Sequence, residues 1–516
     1  MIHREKMSPV DTAWLRMDRP SNLMLIVGVL MFEGTVDHQR LKTTIAARLL
    51  PYRRFRQRVV VNESGAWWED DPAFDIDQHL CRVELPGRAG KEELEALAAQ
   101  MVSRPLDSSK PLWQITLIEN YQGGSAVLSR IHHCIADGIA LVGVMLKLTD
   151  STPVAVDEAA ATTEVSAGDE TRSAESEAAA GNDAVDFWKQ LAAPLTAAAI
   201  RTIDYSGAAW SKSLGLLMQP EKATRYAKVA GAVAVEVGRL LAMPDDSPTR
   251  FKGKPGLAKR VAWSEPMELD VVKAVGRVTG GSVNDVLLAC VAGALRRYLM
   301  VNGDDAAGIE IRAMIPVNLR VPGSTGTLGN RFGLVVLNLP LGIANPLARL
   351  AAVRARMEAL KDSYQAPVTL GVLGLVGMAP KAVQTQVLDL LAKKATAVMT
   401  NVPGPQAPLY MAGGKLAQMM FWVPQSGDIG MGVSILSYNG GVQFGLVTDS
   451  ALVPDPQAIV DGFEPEFERL MLTVLQCPRD VAINPDIAET WIIGGRPSNS
   501  SRRAPPKQAG VSPQDL

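Results

Sequence analysis

The chain holds five histidines, His3, His38, His79, His132 and His133, and two of them are adjacent. Histidine is the side chain whose ordinary pKa lies nearest neutrality, so the search for a proton acceptor at pH 7 starts with these residues. In the run His132-His133-Cys134-Ile135-Ala136-Asp137-Gly138 the second imidazole is followed by a carboxylate, and that carboxylate by a glycine that permits a tight backbone path. Neighbouring side chains on an extended strand face opposite sides, so only one of His132 and His133 can face a given cavity. One is the base and the other a prop. Two roles are open to Asp137: it can orient an imidazole directly, or pair with a buried cation and brace the loop. No GxSxG elbow accompanies the run, which favours the bracing role and a single displacement without an acyl-enzyme. Cys134 faces away from His133 if the strand geometry persists, so it is not read as a nucleophile.

The elements around the run must bring it to a cavity. Ser125 to Ile131 reads as a strand leading into the histidines, and Ile139 to Leu148 as a buried helix, so the motif falls in a strand-to-helix loop. Val27 to Glu33 and Leu112 to Tyr121 read as further strands, and Arg40 to Leu50 and Glu92 to Val102 as helices. Farther on, Val283 to Tyr298 and Leu347 to Leu360 carry helical spacing, Ile309 to Leu319 reads as a strand, and Leu328 to Leu341 as a strand pair or one long strand. Asn439-Gly440-Gly441 between apolar runs is hairpin chemistry. The fold class expected is α+β, in two mixed lobes. The expected division is an N-terminal lobe over 1–149, a disordered acidic linker over 150–186, a helical bridge over 187–255, a C-terminal lobe over 256–495 and a disordered tail over 496–516. The bridge is amphipathic from Leu191 to Ala242, and packing of its apolar stripe on the protein body is preferred to contact with lipid.

Composition narrows the function classes. At 516 residues and 47% hydrophobic, the chain can bury two or more cores. With 52 basic against 54 acidic side chains it lacks the positive field of a nucleic-acid binder. Cys81, Cys134, Cys290 and Cys477 form no CxxC pair, so reduced thiols and no metal site are expected. The segment Met1-Ile2-His3-Arg4-Glu5-Lys6 lacks the apolar core of a signal peptide, and polar residues interrupt every apolar run before spanning length. A cytoplasmic protein, at most peripheral to a membrane or lipid-droplet surface, is expected.

His-His-x-x-x-Asp-Gly at a strand end resembles the signature of the CoA-dependent acyltransferase superfamily, which includes chloramphenicol acetyltransferase and the condensation domains of peptide synthetases. The chain resembles more closely the bacterial wax ester synthase/diacylglycerol acyltransferase family. Further segments agree in order: Met7-Ser8-Pro9-Val10-Asp11, Pro111-Leu112-Trp113, Ser282-Val283-Asn284-Asp285-Val286, Leu328-Gly329-Asn330-Arg331-Phe332-Gly333 and Thr400-Asn401-Val402-Pro403-Gly404-Pro405. The resemblance covers about residues 7 to 475, and the acidic linker departs from it in length and composition.

The resemblance implies two chloramphenicol-acetyltransferase-like lobes with a tunnel between them, in which acyl-CoA and a lipid alcohol meet at the second histidine. His133 is then the general base that takes the alcohol proton as the oxygen attacks the thioester, help typically worth about 100- to 10,000-fold. His132, Asp137 and Gly138 complete the motif. Asn284, near a helix start, offers an amide to the oxyanion or merely caps that helix. Trp113, Asn330 and Gly333 are placed by the tunnel as candidate substrate contacts, although packing and backbone shaping are the preferred readings for them. Arg56 lies where condensation-like domains carry the arginine that pairs with the aspartate. No metal and no bound cofactor is called for, since acyl-CoA is a co-substrate. The acceptor expected is diacylglycerol, a long-chain alcohol or both. The competing readings are a condensation-type enzyme using a carrier-bound thioester, though no carrier domain is visible, and a non-catalytic lipid-surface protein.

Overall fold

In the computed structural model, the described residues are 3–153, 242–319, 328–361, 365–378 and 381–476. They fold around two mixed sheets. The first has six strands in the order Tyr410–Met411, Gly414–Trp422, Leu25–Glu33, Ser125–His132, Trp113–Ile118 and Leu80–Val83. The second runs Phe332–Leu339, Ile311–Asn318, Ala397–Pro403, Met431–Tyr438, Gly441–Asp449 and Lys259–Trp263, and the short strand Met267–Glu268 also pairs with Gly441–Asp449. A small three-stranded sheet of Arg4–Lys6, Gly65–Asp70 and Gln57–Asn62 stands apart.

The central strands of the first sheet are apolar on both faces because both faces are covered. Leu25 through Phe32 are all buried, as is the whole of Ser125–His132. Strand Leu25–Glu33 pairs antiparallel with Ser125–His132, placing Leu25 opposite His132, so the histidines emerge at the end of a central strand held by a long ladder. The hairpin expected at Asn439-Gly440 is present. Strands Met431–Tyr438 and Gly441–Asp449 pair through to Tyr438 opposite Gly441, with positive φ at Asn439 and Gly440, as a two-residue turn of this type requires. Of the two readings left open for Leu328 to Leu341, the structure has one strand, Phe332–Leu339.

The lobes are not separate lengths of chain. Gly414–Trp422 crosses over and pairs antiparallel with Leu25–Glu33, so a segment expected in the C-terminal lobe completes the sheet of the first. The expected 256–495 lobe is therefore divided between the two sheets. A hydrophobic pattern cannot show this, because an inward-facing strand reads the same whichever sheet it joins. The helix Val283–Val301, buried along most of its length, fills the core of the second lobe. Most of the expected linker and helical bridge, the expected tail and Cys477 lie outside the described residues. Among the described residues no single helix is long and apolar enough to cross a membrane.

Candidate active site

Strand Ser125–His132 ends at the first histidine, and its neighbour takes over the backbone pairing: the His133 amide donates to the Met24 carbonyl at 2.7 Å. The two imidazoles then part. His132 turns its ring back on the motif, where Nδ1 accepts the Cys134 amide at 3.1 Å and Nε2 lies 3.7 Å from Asp18 Oδ1. It braces the turn. His133 instead lines a cleft of about 740 Å³, open mouth included, between the lobes. Apolar side chains from the second sheet, among them Met314, Phe332, Leu334 and Val398, form the opposite wall.

The environment of His133 explains its charge state. The Trp14 indole stacks on the ring with centroids 4.0 Å apart and planes 19° apart, and the Phe332 ring lies 5.5 Å away. Burial holds the imidazole pKa down to about 4, against the pull of the Asp137 carboxylate in the other direction. A ring so shifted is neutral at pH 7. Its Nδ1 is sealed from solvent and has no hydrogen-bond partner among the described residues.

Asp137 caps the helix Gly138–Leu146. One carboxylate oxygen accepts the Ala140 amide at 2.9 Å, and the other accepts the Arg331 amide of the second lobe at 3.0 Å. A parallel bridge between Ala136 and Gly329 runs beside it. Backbone amides from both lobes thus take part in the bracing. The expected pair with Arg56 is not made: Asp137 is buried, whereas Arg56 sits exposed on the short turn Arg53–Arg56. A run of five closely spaced basic and polar residues gives no means of telling which guanidinium turns inward. Gly138 begins the capped helix and lines the cleft, where a Cβ would come within 3.3 Å of Val423.

Other expected contacts lie elsewhere. Trp113 is buried inside the first lobe, donating its indole N–H to the Phe55 carbonyl at 2.8 Å and stacking on His79 at 4.6 Å, so it packs and does not line the cleft. Gly333 faces a helix rather than a ligand. A Cβ there would fall 1.8 Å from the Ala366 carbonyl oxygen, so glycine permits the helix Gln365–Met378 to lie against the strand. Asn330 is buried behind His133, donating to Asp11 Oδ1 at 2.8 Å and to the His133 carbonyl at 2.9 Å. Asn284 neither caps its helix nor lines the cleft. Ser282 is the N-cap, in a capping box with Asp285, and the Asn284 amide oxygen accepts from Asn401 Nδ2 at 2.9 Å. Asn401 is the residue that lines the cleft. Cys134 is fully buried, and burial pushes its thiol pKa well up, so no thiolate forms.

Sequence reasoning missed Trp14, Asp11 as a partner of Asn330, and the cleft-facing position of Asn401. A signal for the first two existed. Asp11 and Trp14 are three apart on the helix Pro9–Met17 and so share one face, the face laid against the motif.

The architecture is thus one of two interlocked mixed sheets with His133 at the cleft between them. Solved structures agree with this architecture. A wax ester synthase/diacylglycerol acyltransferase from Marinobacter aquaeolei VT8 matches 91% of this chain and 100% of its own, with a TM-score of 0.60 at 20% identity. The first condensation domain of the calcium-dependent antibiotic synthetase matches 94% and 97%, with a TM-score of 0.55 at 14% identity. Residues 7–287 match the wax ester synthase/diacylglycerol acyltransferase catalytic domain, and residues 328–471 the WS/DGAT C-terminal domain. The chain belongs to the wax ester synthase/diacylglycerol acyltransferase family, and it is an acyltransferase. A Mycobacterium tuberculosis relative named probable diacylglycerol O-acyltransferase tgs1 is 27% identical over 487 residues, which cover 90% of this chain and 95% of the relative.

Proposed function

We propose that the protein transfers a fatty acyl group from acyl-CoA to the hydroxyl of diacylglycerol, a long-chain alcohol or both, with His133 as general base. The observation that carries this reading is the neutral His133 ring presented to a largely apolar cleft between the lobes. Nε2 takes the alcohol proton as the oxygen bonds to the thioester carbonyl. The tetrahedral intermediate collapses with loss of CoA thiolate, and the thiolate recovers the proton from Nε2. The Asn401 amide, held by Asn284, is the side-chain donor offered to the oxyanion. The reaction so written calls for no bound cofactor or metal. Two substrates with long alkyl chains also favour work at a membrane or lipid-droplet surface.

The test is thiol release from palmitoyl-CoA by the purified full chain, with diacylglycerol or hexadecanol as acceptor, for wild type and His133→Ala. Acceptor-dependent release that collapses in a folded His133→Ala variant is expected. Unchanged release in that variant would remove His133 as the base. A wild type inactive with CoA donors but active with a carrier-protein thioester would move the reading to condensation-type chemistry.

A further inference from the structure

Two buried atoms behind the base lack partners among the described residues: Nδ1 of His133 and Oδ1 of Asn330. Buried polar groups are seldom left unpaired, so two orphans beside one catalytic ring call for an explanation. The Asn330 amide cannot be reversed to remove one of them. Its nitrogen end meets the His133 carbonyl at 2.9 Å, and a backbone carbonyl can only accept. Oδ1 is therefore an acceptor without a donor. The Asn330 side chain and the His133 backbone both favour the protonated form of the ring.

Resting on the reading of His133 as base, we propose that Asn330 is a positioning residue: its Oδ1 accepts Nδ1–H of His133 and so keeps the lone pair on Nε2, while Asp11 holds the amide. Which ring nitrogen is protonated is set by the partner of the other, and a base with the proton on Nε2 cannot act. Asp11 is a strong holder because it is buried on the helix Pro9–Met17 and accepts the Asn330 amide at 2.8 Å. The next residue, Arg331, donates its amide to Asp137, so one turn of the second lobe is pinned at both ends of the motif. The base acquires the right tautomer only when the lobes are assembled.

The step balances without moving Nδ1–H. The alcohol O–H breaks as the O–C bond forms, and the proton goes to Nε2. The imidazolium is stabilised through Nδ1–H to Asn330. The C–S bond then breaks, and the thiolate takes the proton from Nε2. The charged or titratable groups that act on the ring are Asp137 and His132, and Asp11 acts through Asn330 with Arg54 as its own nearby cation. Trp14 and Phe332, which pack on the ring, are uncharged.

The experiment is ¹⁵N-histidine NMR on the full chain together with pH-dependent kinetics. The five histidines make assignment feasible by comparison with His133→Ala. In wild type His133 should carry its proton on Nδ1, and in Asn330→Ala both tautomers should be present. The same variant should lose about 10- to 100-fold in kcat, part of what a general base supplies, with KM little changed. Its acid limb should move to lower pH. The exchange Asp11→Asn with Asn330→Asp places a carboxylate on the ring and should move that limb to higher pH. A wild-type Nε2–H tautomer, an unchanged tautomer in Asn330→Ala, or identical pH profiles in both variants would overturn the assignment. If Asn330→Ala does not fold, the exchange variant decides. If the wild type shows no acyl transfer, the functional reading fails while the NMR still reports on the hydrogen bond.

Discussion

The Trp14 indole lies nearly parallel to the His133 imidazole at 4.0 Å, with Phe332 5.5 Å from the same ring. These aromatics help to bury the imidazole. Desolvation is the largest influence on its pKa, and the helix Pro9–Met17 contributes to it through Trp14.

Replacing Trp14 by alanine should open the ring to water and remove a large buried side chain. The expected cost is about 3–5 kcal/mol in chemical denaturation. The His133 pKa should rise toward its ordinary value of about 6.5, carrying the acid limb of activity with it. Trp14→Phe should retain most of both properties. An acid limb unmoved in Trp14→Ala would show that stacking does not control the base.

The pH dependence has a definite sign. A base with a lowered pKa stays neutral as pH falls, so kcat/KM should hold below pH 6 and decline only as pH approaches about 4. Stability follows the same direction. The unfolded chain protonates this histidine near its ordinary value, so its contribution to stability is complete above about 6.5 and is lost as pH falls toward the folded value. Titration of His133 by NMR separates its share from that of the carboxylates; a value near 6.5 would sink the desolvation account.

Asp137→Asn should keep one acceptor and turn an N–H₂ toward the other backbone amide. Leaving that buried amide unpaired costs about 1–3 kcal/mol. Loss of the negative charge also lowers the His133 pKa further, so the acid limb should move down while Tm falls. A variant as stable as wild type, by thermal denaturation, would contradict the proposed tie between the lobes.

Asn401→Ala should reduce kcat by about 100- to 1,000-fold, the usual loss of one oxyanion donor. Asn284→Ala should cost less, and the two together little more than Asn401→Ala alone, because Asn284 acts through its partner. Kinetics of the double-mutant cycle give the answer. Additive losses would mean that each amide meets the substrate independently.

The local pattern determined a good deal. Alternation and apolar spacing located the strand into the histidines, the helix after them and the Asn439-Gly440 hairpin, because these depend on neighbours within one element. The facing rule for adjacent strand residues separated His132 from His133, of which the second lines the cleft. Tertiary structure alone decided the rest. That Asp137 would be met by the Arg331 amide and not by the Arg56 guanidinium, that Asn401 would stand in front of Asn284, and that Asn330 and Trp14 would back the base all depend on contacts between distant segments. The crossing of Gly414–Trp422 into the first sheet belongs with these. A side chain's type and local spacing state what it can donate, accept or bury, but its partner is chosen by packing across hundreds of residues, which no local period encodes.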